Sequence, residues 1–253
     1  MKSTRSKPWC LVSLRPQGGH DSLRRAAARH GIDVLALSPW RLQPRDDAAT
    51  RTALDAALAA DVVLFTSPAA VRAALALRPL AADASRSWAG VGAGTAAALR
   101  RAGVASALSP TRMDSEGLLA LPALAGARRV GLVTAPGGRG MIAAELARRG
   151  ASVERADVYA RLPVPPAARA VAALCRLDRP ACLALSSEEA LRTVLAALPE
   201  PAAASLRRCR VAAASQRLAD LATHLALGPA TVAASARPAA LVAAACEAMA
   251  DIG

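Results

Sequence analysis

Residues 129–159 read RVGLVTAPGGRGMIAAELARRGASVERADVY, and residues 10–40 read CLVSLRPQGGHDSLRRAAARHGIDVLALSPW. At an offset of 119, Gly18 and Gly19 fall on Gly137 and Gly138, Gly31 on Gly150, Val34 on Val153, and Trp40 on Tyr159. Each stretch reads as a short apolar strand, a Gly-Gly loop, an amphipathic helix, a C-capping glycine and a second strand.

The repeat continues outward. Asp61 to Leu75 (DVVLFTSPAAVRAAL) matches Ala181 to Leu195 (ACLALSSEEALRTVL), each a buried strand, a hydroxyl pair and a helix. Val91 to Gly103 matches the segment from Ala212 to Gly228, and the segment from Ser106 matches that from Thr231. Four matches in one order at nearly one offset mark an internal duplication of about 120 residues. Strands alternating with helices imply parallel sheets covered on both faces. The expected class is α/β: two flavodoxin-like parallel-sheet domains of about five strands each, joined by two extended linker strands. The Pro-punctuated segments at 38–44 and 159–166 occupy equivalent places and read as the linkers. The expected domains are 1–39 with 165–253, and an inserted 42–160. Two extended crossings suggest a hinge and an open cleft.

Composition bounds the function. A net charge of +13 on 253 residues comes from thirty arginines and only two lysines, Lys2 and Lys7, against nineteen acids. With 54% hydrophobic and 20% charged residues, the chain is not disordered. The longest stretch free of charged residues, Leu221 to Ala236, is broken by His224, Gly228 and Pro229, so no membrane span is expected. The N-terminus lacks the apolar run of a secretory signal, and five cysteines without a C-x-x-C pair fit free thiols in the cytoplasm. Three scattered histidines offer no usual metal spacing. The charge fits nucleic acid, a small polyanion in a basic cleft, or a genome that favours arginine. Five aromatics are few for base stacking.

In open α/β sheets, ligands bind beyond the carboxyl ends of the strands. The candidates there are the Gly-Gly loops, with Gly137, Gly138 and Arg139, and the hydroxyl pairs Thr66-Ser67 and Ser186-Ser187. The loops are either anion-binding N–H cradles or tight βα turns. The hydroxyls are either helix N-caps or ligand contacts that face one cleft. Gly92-Ala93-Gly94-Thr95-Ala96-Ala97 fits a dinucleotide fingerprint, but the next strand, near Ala105 to Leu108, lacks the ribose-binding acid. A turn for close packing is the better reading there. Glu188-Glu189 reads as a solvated first helical turn. Tyr159, the one tyrosine, is a hinge packing residue or a proton donor.

The chain resembles the uroporphyrinogen-III synthase family over about residues 10–245. The resemblance rests on Leu14-Arg15-Pro16, Leu64-Phe65-Thr66-Ser67 with Ala70-Val71, Val91-Gly92 with Thr95-Ala96, and Gly137-Gly138-Arg139. Further matches are Gly150 with Val153, Val158-Tyr159, Leu185-Ser186-Ser187, and Ser215 with Arg217-Leu218-Ala219. It implies two flavodoxin-like domains, one inserted in the other, and closure of hydroxymethylbilane, a linear tetrapyrrole with eight carboxylates, without metal or cofactor. It implies a role in haem, sirohaem and cobalamin synthesis, hydroxymethylbilane synthase as upstream donor, a monomer, and neither nucleic acid nor membrane as partner. By position it implies Tyr159 as the group that assists hydroxyl departure. The substrate contacts it implies are Arg15, Thr66, Ser67, Gly92, Thr95, Gly137, Gly138, Arg139, Ser186, Ser187 and Ser215. The chain departs from the family pattern at Thr134-Ala135-Pro136, where Arg-Gly-Asn is usual, at Leu218, where threonine is frequent, and at Leu14. The rival reading is a non-catalytic two-lobed binding protein for a polyanion, a degenerate paralogue of the synthase.

Overall fold

The computed structural model describes residues 9–81, 85–111, 115–137 and 140–250. In chain order these form β1 (Cys10–Ser13), α1 (Asp21–Ala28), β2 (Asp33–Ala36), β3 (Trp40–Pro44), α2 (Ala48–Leu58), β4 (Val62–Phe65), α3 (Pro68–Leu77), β5 (Ser87–Gly90), α4 (Ala93–Arg101) and α5 (Ser115–Leu119). There follow β6 (Arg129–Thr134), α6 (Met141–Arg148), β7 (Ser152–Asp157), β8 (Tyr159–Pro163), α7 (Ala168–Cys175), β9 (Ala181–Leu185), α8 (Glu188–Ala197), α9 (Glu200–Arg207), β10 (Arg210–Ala213), α10 (Gln216–His224), β11 (Ala230–Val232) and α11 (Pro238–Met249). The chain divides into two compact units, Met1–Arg41 with Leu162–Gly253, and Leu42–Arg161. It passes between them along β3 and β8, which pair as a two-stranded sheet.

The first unit holds a five-stranded parallel sheet in the order β11-β10-β9-β1-β2. The second holds β5-β4-β6-β7, also parallel, extended past β5 by one parallel bridge between Ala89 and Leu108. The repeat equates β1 with β6, β2 with β7, β4 with β9 and β5 with β10. Read that way, both sheets have one strand order, and each is assembled from halves of both copies. The strand expected near Ala105–Leu108 is reduced to the single bridge. Pro110 follows closely and has no N–H to continue a ladder, and Leu108 stays 41% exposed.

The central strands β1, β4 and β9 are buried along their whole length, as continuous apolar runs flanked by helices on both faces require. Phe65 stacks on Trp88 with ring centroids 6.0 Å apart at the heart of the second unit. The edge strand β7 carries Glu154, Arg155 and Asp157, charges that discourage pairing with a further strand.

The duplication shows in the helix ends. Gly31 and Gly150 both adopt positive φ, and behind them Ile32 N donates to Ala27 O and Ala151 N to Leu146 O, each at 3.1 Å. After α4, Gly103 (φ 98°) closes the helix with Val104 N donating to Leu99 O at 3.0 Å. After α10 the same closure, Leu227 N to Ala222 O at 2.9 Å, falls to Ala226 at φ 54°. An alanine there is strained because its Cβ crowds the backbone in the left-handed region. Gly131, in the middle of β6, serves a different end. A Cβ there would lie 1.9 Å from the carbonyl oxygen of Ala57, so α2 seats directly on the strand.

Two substitutions separate these roles. Gly131→Ala should cost about 3 kcal/mol or more, since backbone must move to admit the methyl group. Ala226→Gly should gain up to about 1 kcal/mol, relief of strain exceeding the added freedom of the unfolded chain. Urea denaturation of each variant checks both signs.

Candidate functional site

Because every strand of a parallel sheet ends on the same edge, the residues just past β4 and β6 converge. In the second unit they line a cleft of about 260 Å³ with Thr66, Ser67, Thr134, Tyr159, Arg155 and Arg161 among its walls. Gly137, Gly140 and the start of α6, Met141 to Ala143, close another side.

The hydroxyls form a connected set. Thr66 Oγ1 and Thr134 Oγ1 lie 2.8 Å apart, and Thr66 N donates to Val133 O. Ser67 caps α3, its Oγ accepting from Ala70 N at 3.1 Å. The same Oγ lies 3.1 Å from the phenol oxygen of Tyr159, itself only 5% exposed. Ser67 therefore serves as cap and as partner of the phenol at once. With one of its two lone pairs engaged by Ala70 N–H, its own proton can go to the Tyr159 oxygen, and the phenol proton is then free for a group in the cleft.

Two cations complete the wall. The Arg155 guanidinium donates to Ala135 O at 3.1 Å and to Asp157 Oδ1 at 3.1 Å, which fixes its plane. Arg161 approaches Gly137 so closely that a Cβ there would lie 4.0 Å from its Nη1. Gly137 holds φ 84°, a conformation that suits glycine. Neither arginine is among the sequence-derived candidates. Arg161 was findable, since it shares a strand face with Tyr159 two residues away. Arg155 was not, because it enters through the pairing of β7 with β6.

Other candidates fall elsewhere. Gly92 caps α4 in extended conformation, and Thr95 is 3% exposed, packed against the face of Gly90. It is Gly90 that permits this close packing, since a Cβ there would meet Ala96 N and Thr95 Cβ at 2.7 Å. Gly138 and Arg139 lie outside the described residues. In the first unit, Arg15, Ser186, Ser187 and Ser215 follow the carboxyl ends of β1, β9 and β10. Ser187 caps α8 with Oγ accepting from Ala190 N at 3.2 Å, as Ser67 does in its own unit, while Ser186 and Ser215 are exposed. Leu218 is buried in the core. The Gly18-Gly19 loop is a turn, its Gly19 N–H taken by Pro16 O at 2.9 Å. Glu188, expected to be solvated, accepts from Arg192 at 3.0 Å and Arg217 at 2.6 Å, and these partners hold its carboxyl below the usual range.

His20, also in the first unit, is a buried titratable group just before α1, in the segment that follows β1. Burial pushes its pKa down to about 4, with Arg24 and Arg15 adding to the shift and Asp21 opposing it.

The molecule is thus a two-unit α/β protein with doubly wound parallel sheets and a polar, arginine-flanked cleft at strand carboxyl ends. The family model described as uroporphyrinogen-III synthase HemD matches residues 21–243. The chain belongs to the uroporphyrinogen-III synthase family. Among solved structures, a mutant uroporphyrinogen III synthase from the extremely thermophilic bacterium Thermus thermophilus is 20% identical with a TM-score of 0.61, covering 96% of this chain and 99% of that one. The enzyme from Helicobacter pylori is 14% identical with a TM-score of 0.58, covering 94% and 98%. These likenesses concern the fold. No curated protein matches the chain.

Two measurements probe the site's local chemistry. Ser67→Ala removes a helix cap and should cost about 1 kcal/mol in thermal or urea unfolding. For His20, the folded pKa lies below the ordinary 6.5, so the unfolded chain binds more protons between the two values. Its contribution to stability is complete above about pH 6.5 and is lost as pH falls toward 4. Urea midpoints across this range should fall in the wild type and fall less in His20→Gln.

Proposed function

We propose that the protein converts hydroxymethylbilane to uroporphyrinogen III, with loss of water and inversion of ring D, in tetrapyrrole synthesis. The observation that carries this reading is the Ser67–Tyr159 hydrogen bond in a cleft walled by hydroxyls and two arginines, within a chain of this family. The phenol supplies a proton to the terminal hydroxyl as it leaves as water, generating an azafulvene cation. The far pyrrole attacks through its substituted carbon, the spiro intermediate fragments, and the ring recloses inverted. The proton lost when the ring system regains its double bonds restores the phenol.

Little further chemistry is required of the protein. The substrate closes spontaneously to the uninverted isomer, so catalysis is a matter of holding one geometry. Each tenfold advantage over that route needs only ~1.4 kcal/mol. Arg155, Arg161, Thr66 and Thr134 in the second unit, and Arg15, Ser186, Ser187 and Ser215 in the first, are the proposed carboxylate ligands. Guanidinium and hydroxyl donors match carboxylates in charge and geometry. The proposed setting is the cytoplasm, in keeping with five free cysteines and with the lack, among the described residues, of a helix able to cross a membrane.

The test is to supply hydroxymethylbilane, oxidise the product and separate isomers I and III. Isomer III in excess over the uncatalysed reaction is expected; isomer I alone at the uncatalysed rate overturns the proposal. Tyr159→Phe should lower kcat by about a hundredfold, the range of a general acid. Its stability should drop by only about 1 kcal/mol, one buried hydrogen bond. An unchanged kcat removes Tyr159 from the mechanism.

A further inference from the structure

His20 is 4% exposed and its two ring nitrogens are both engaged. Nδ1 lies 2.9 Å from Ser13 Oγ, and Nε2 lies 2.8 Å from Ser38 Oγ. Ser13 is the fully buried last residue of β1, and Ser38 lies in the crossing from β2 to β3. Between them runs the loop from Leu14 to Gly19, which carries Arg15. That loop is tied down at one further point, where Gln17 N donates to Trp40 O at 3.0 Å, and at its start Ser13 O accepts from Leu37 N at 2.9 Å. His20 precedes α1 yet makes no side-chain cap to it, so its imidazole is turned wholly to the two serines.

Arg15 is a half-buried cation, and among the described residues no carboxylate pairs with it. Fixing the loop backbone limits the positions that this guanidinium can reach. We infer that His20 is a positioning residue, a rigid bridge between Ser13 and Ser38 that fixes the loop presenting Arg15 to a ligand carboxylate. This rests on the synthase reading in one respect, that Arg15 is a substrate ligand. The residue type follows from the geometry. An imidazole carries its two polar atoms on separate edges of one rigid ring, and here each edge meets one serine hydroxyl. Burial first, and then the nearby Arg24 and Arg15, favour the neutral ring, with Asp21 opposing them. In the neutral ring one nitrogen donates and the other accepts, so both serine hydroxyls are oriented with it.

The test is a double-mutant cycle on the full chain. Fluorescence titration with uroporphyrin III, an octacarboxylate, gives Kd for the wild type, His20→Ala, Arg15→Ala and the double variant, with circular dichroism confirming the fold. Arg15→Ala should weaken binding about tenfold, the loss of one charge-assisted contact. His20→Ala should weaken it about fivefold, and the double variant should bind like Arg15→Ala alone, because coupled residues are not additive. A general structural role for His20 predicts independent, multiplying losses, and that outcome overturns the inference. So does wild-type binding in His20→Ala, or a probe that fails to bind the wild type. Should His20→Ala fail to fold, Ser38→Ala takes its place in the same cycle. In turnover with hydroxymethylbilane, His20→Ala should raise KM and spare kcat, the reverse of Tyr159→Phe. The isomer assay is independent of this cycle. Isomer III without coupling sinks the positioning role alone, and coupling without isomer III sinks the synthase reading alone.

Discussion

In a parallel sheet all strands finish on one edge, and each helix that follows begins there. The groups proposed to act in this chain are placed by that constraint. Ser67 and Ser187 cap the helices after β4 and β9 with the same hydrogen bond to the third residue on. Thr66, Thr134 and Tyr159 meet because β4 and β6 are neighbours and the chain turns out of β7 directly into β8. The sheet in turn depends on close helix seating, most plainly at Gly131, where α2 comes within contact of the strand backbone.

The duplication is used in an exchanged form. β6 and β7 of the second copy complete the sheet begun by β4 and β5 of the first, and β1 and β2 join β9, β10 and β11. Each sheet thereby draws strands from distant parts of the chain, which is why neither copy alone contains a finished core. Two points of drift between the copies are visible in the backbone. Ala226 occupies the left-handed position that Gly103 fills in its counterpart, and the edge strand of the second unit has shrunk to a bridge at Leu108.

The excess of arginine also acquires a distribution. Many arginines lie on the surface beside acids, as Arg148 and Arg149 do around Glu145 and Arg192 and Arg217 do around Glu188. Exposed pairs of this kind add little stability. Arg155 and Arg161 are different, because they stand in a cleft wall beside hydroxyls, and Arg15 is different because it is half-buried with no carboxylate among the described residues paired with it.

The sequence by itself determined the α/β class and the duplication, since glycines at helix ends, apolar strand runs and hydroxyl pairs recur at a nearly constant spacing set by local chemistry. It also marked Tyr159, Thr66 and Ser67, because a lone tyrosine and a strand-end hydroxyl pair are visible without a fold. It could not tell that Ser67 would hold the phenol, that Arg155 would share their cleft, or that Thr95 would pack inward against Gly90. Nor did the spacing of Ser13, His20 and Ser38 announce a bridge. Those facts depend on strand order and register, which arise from contacts between residues distant in the chain, and only the tertiary structure decides them.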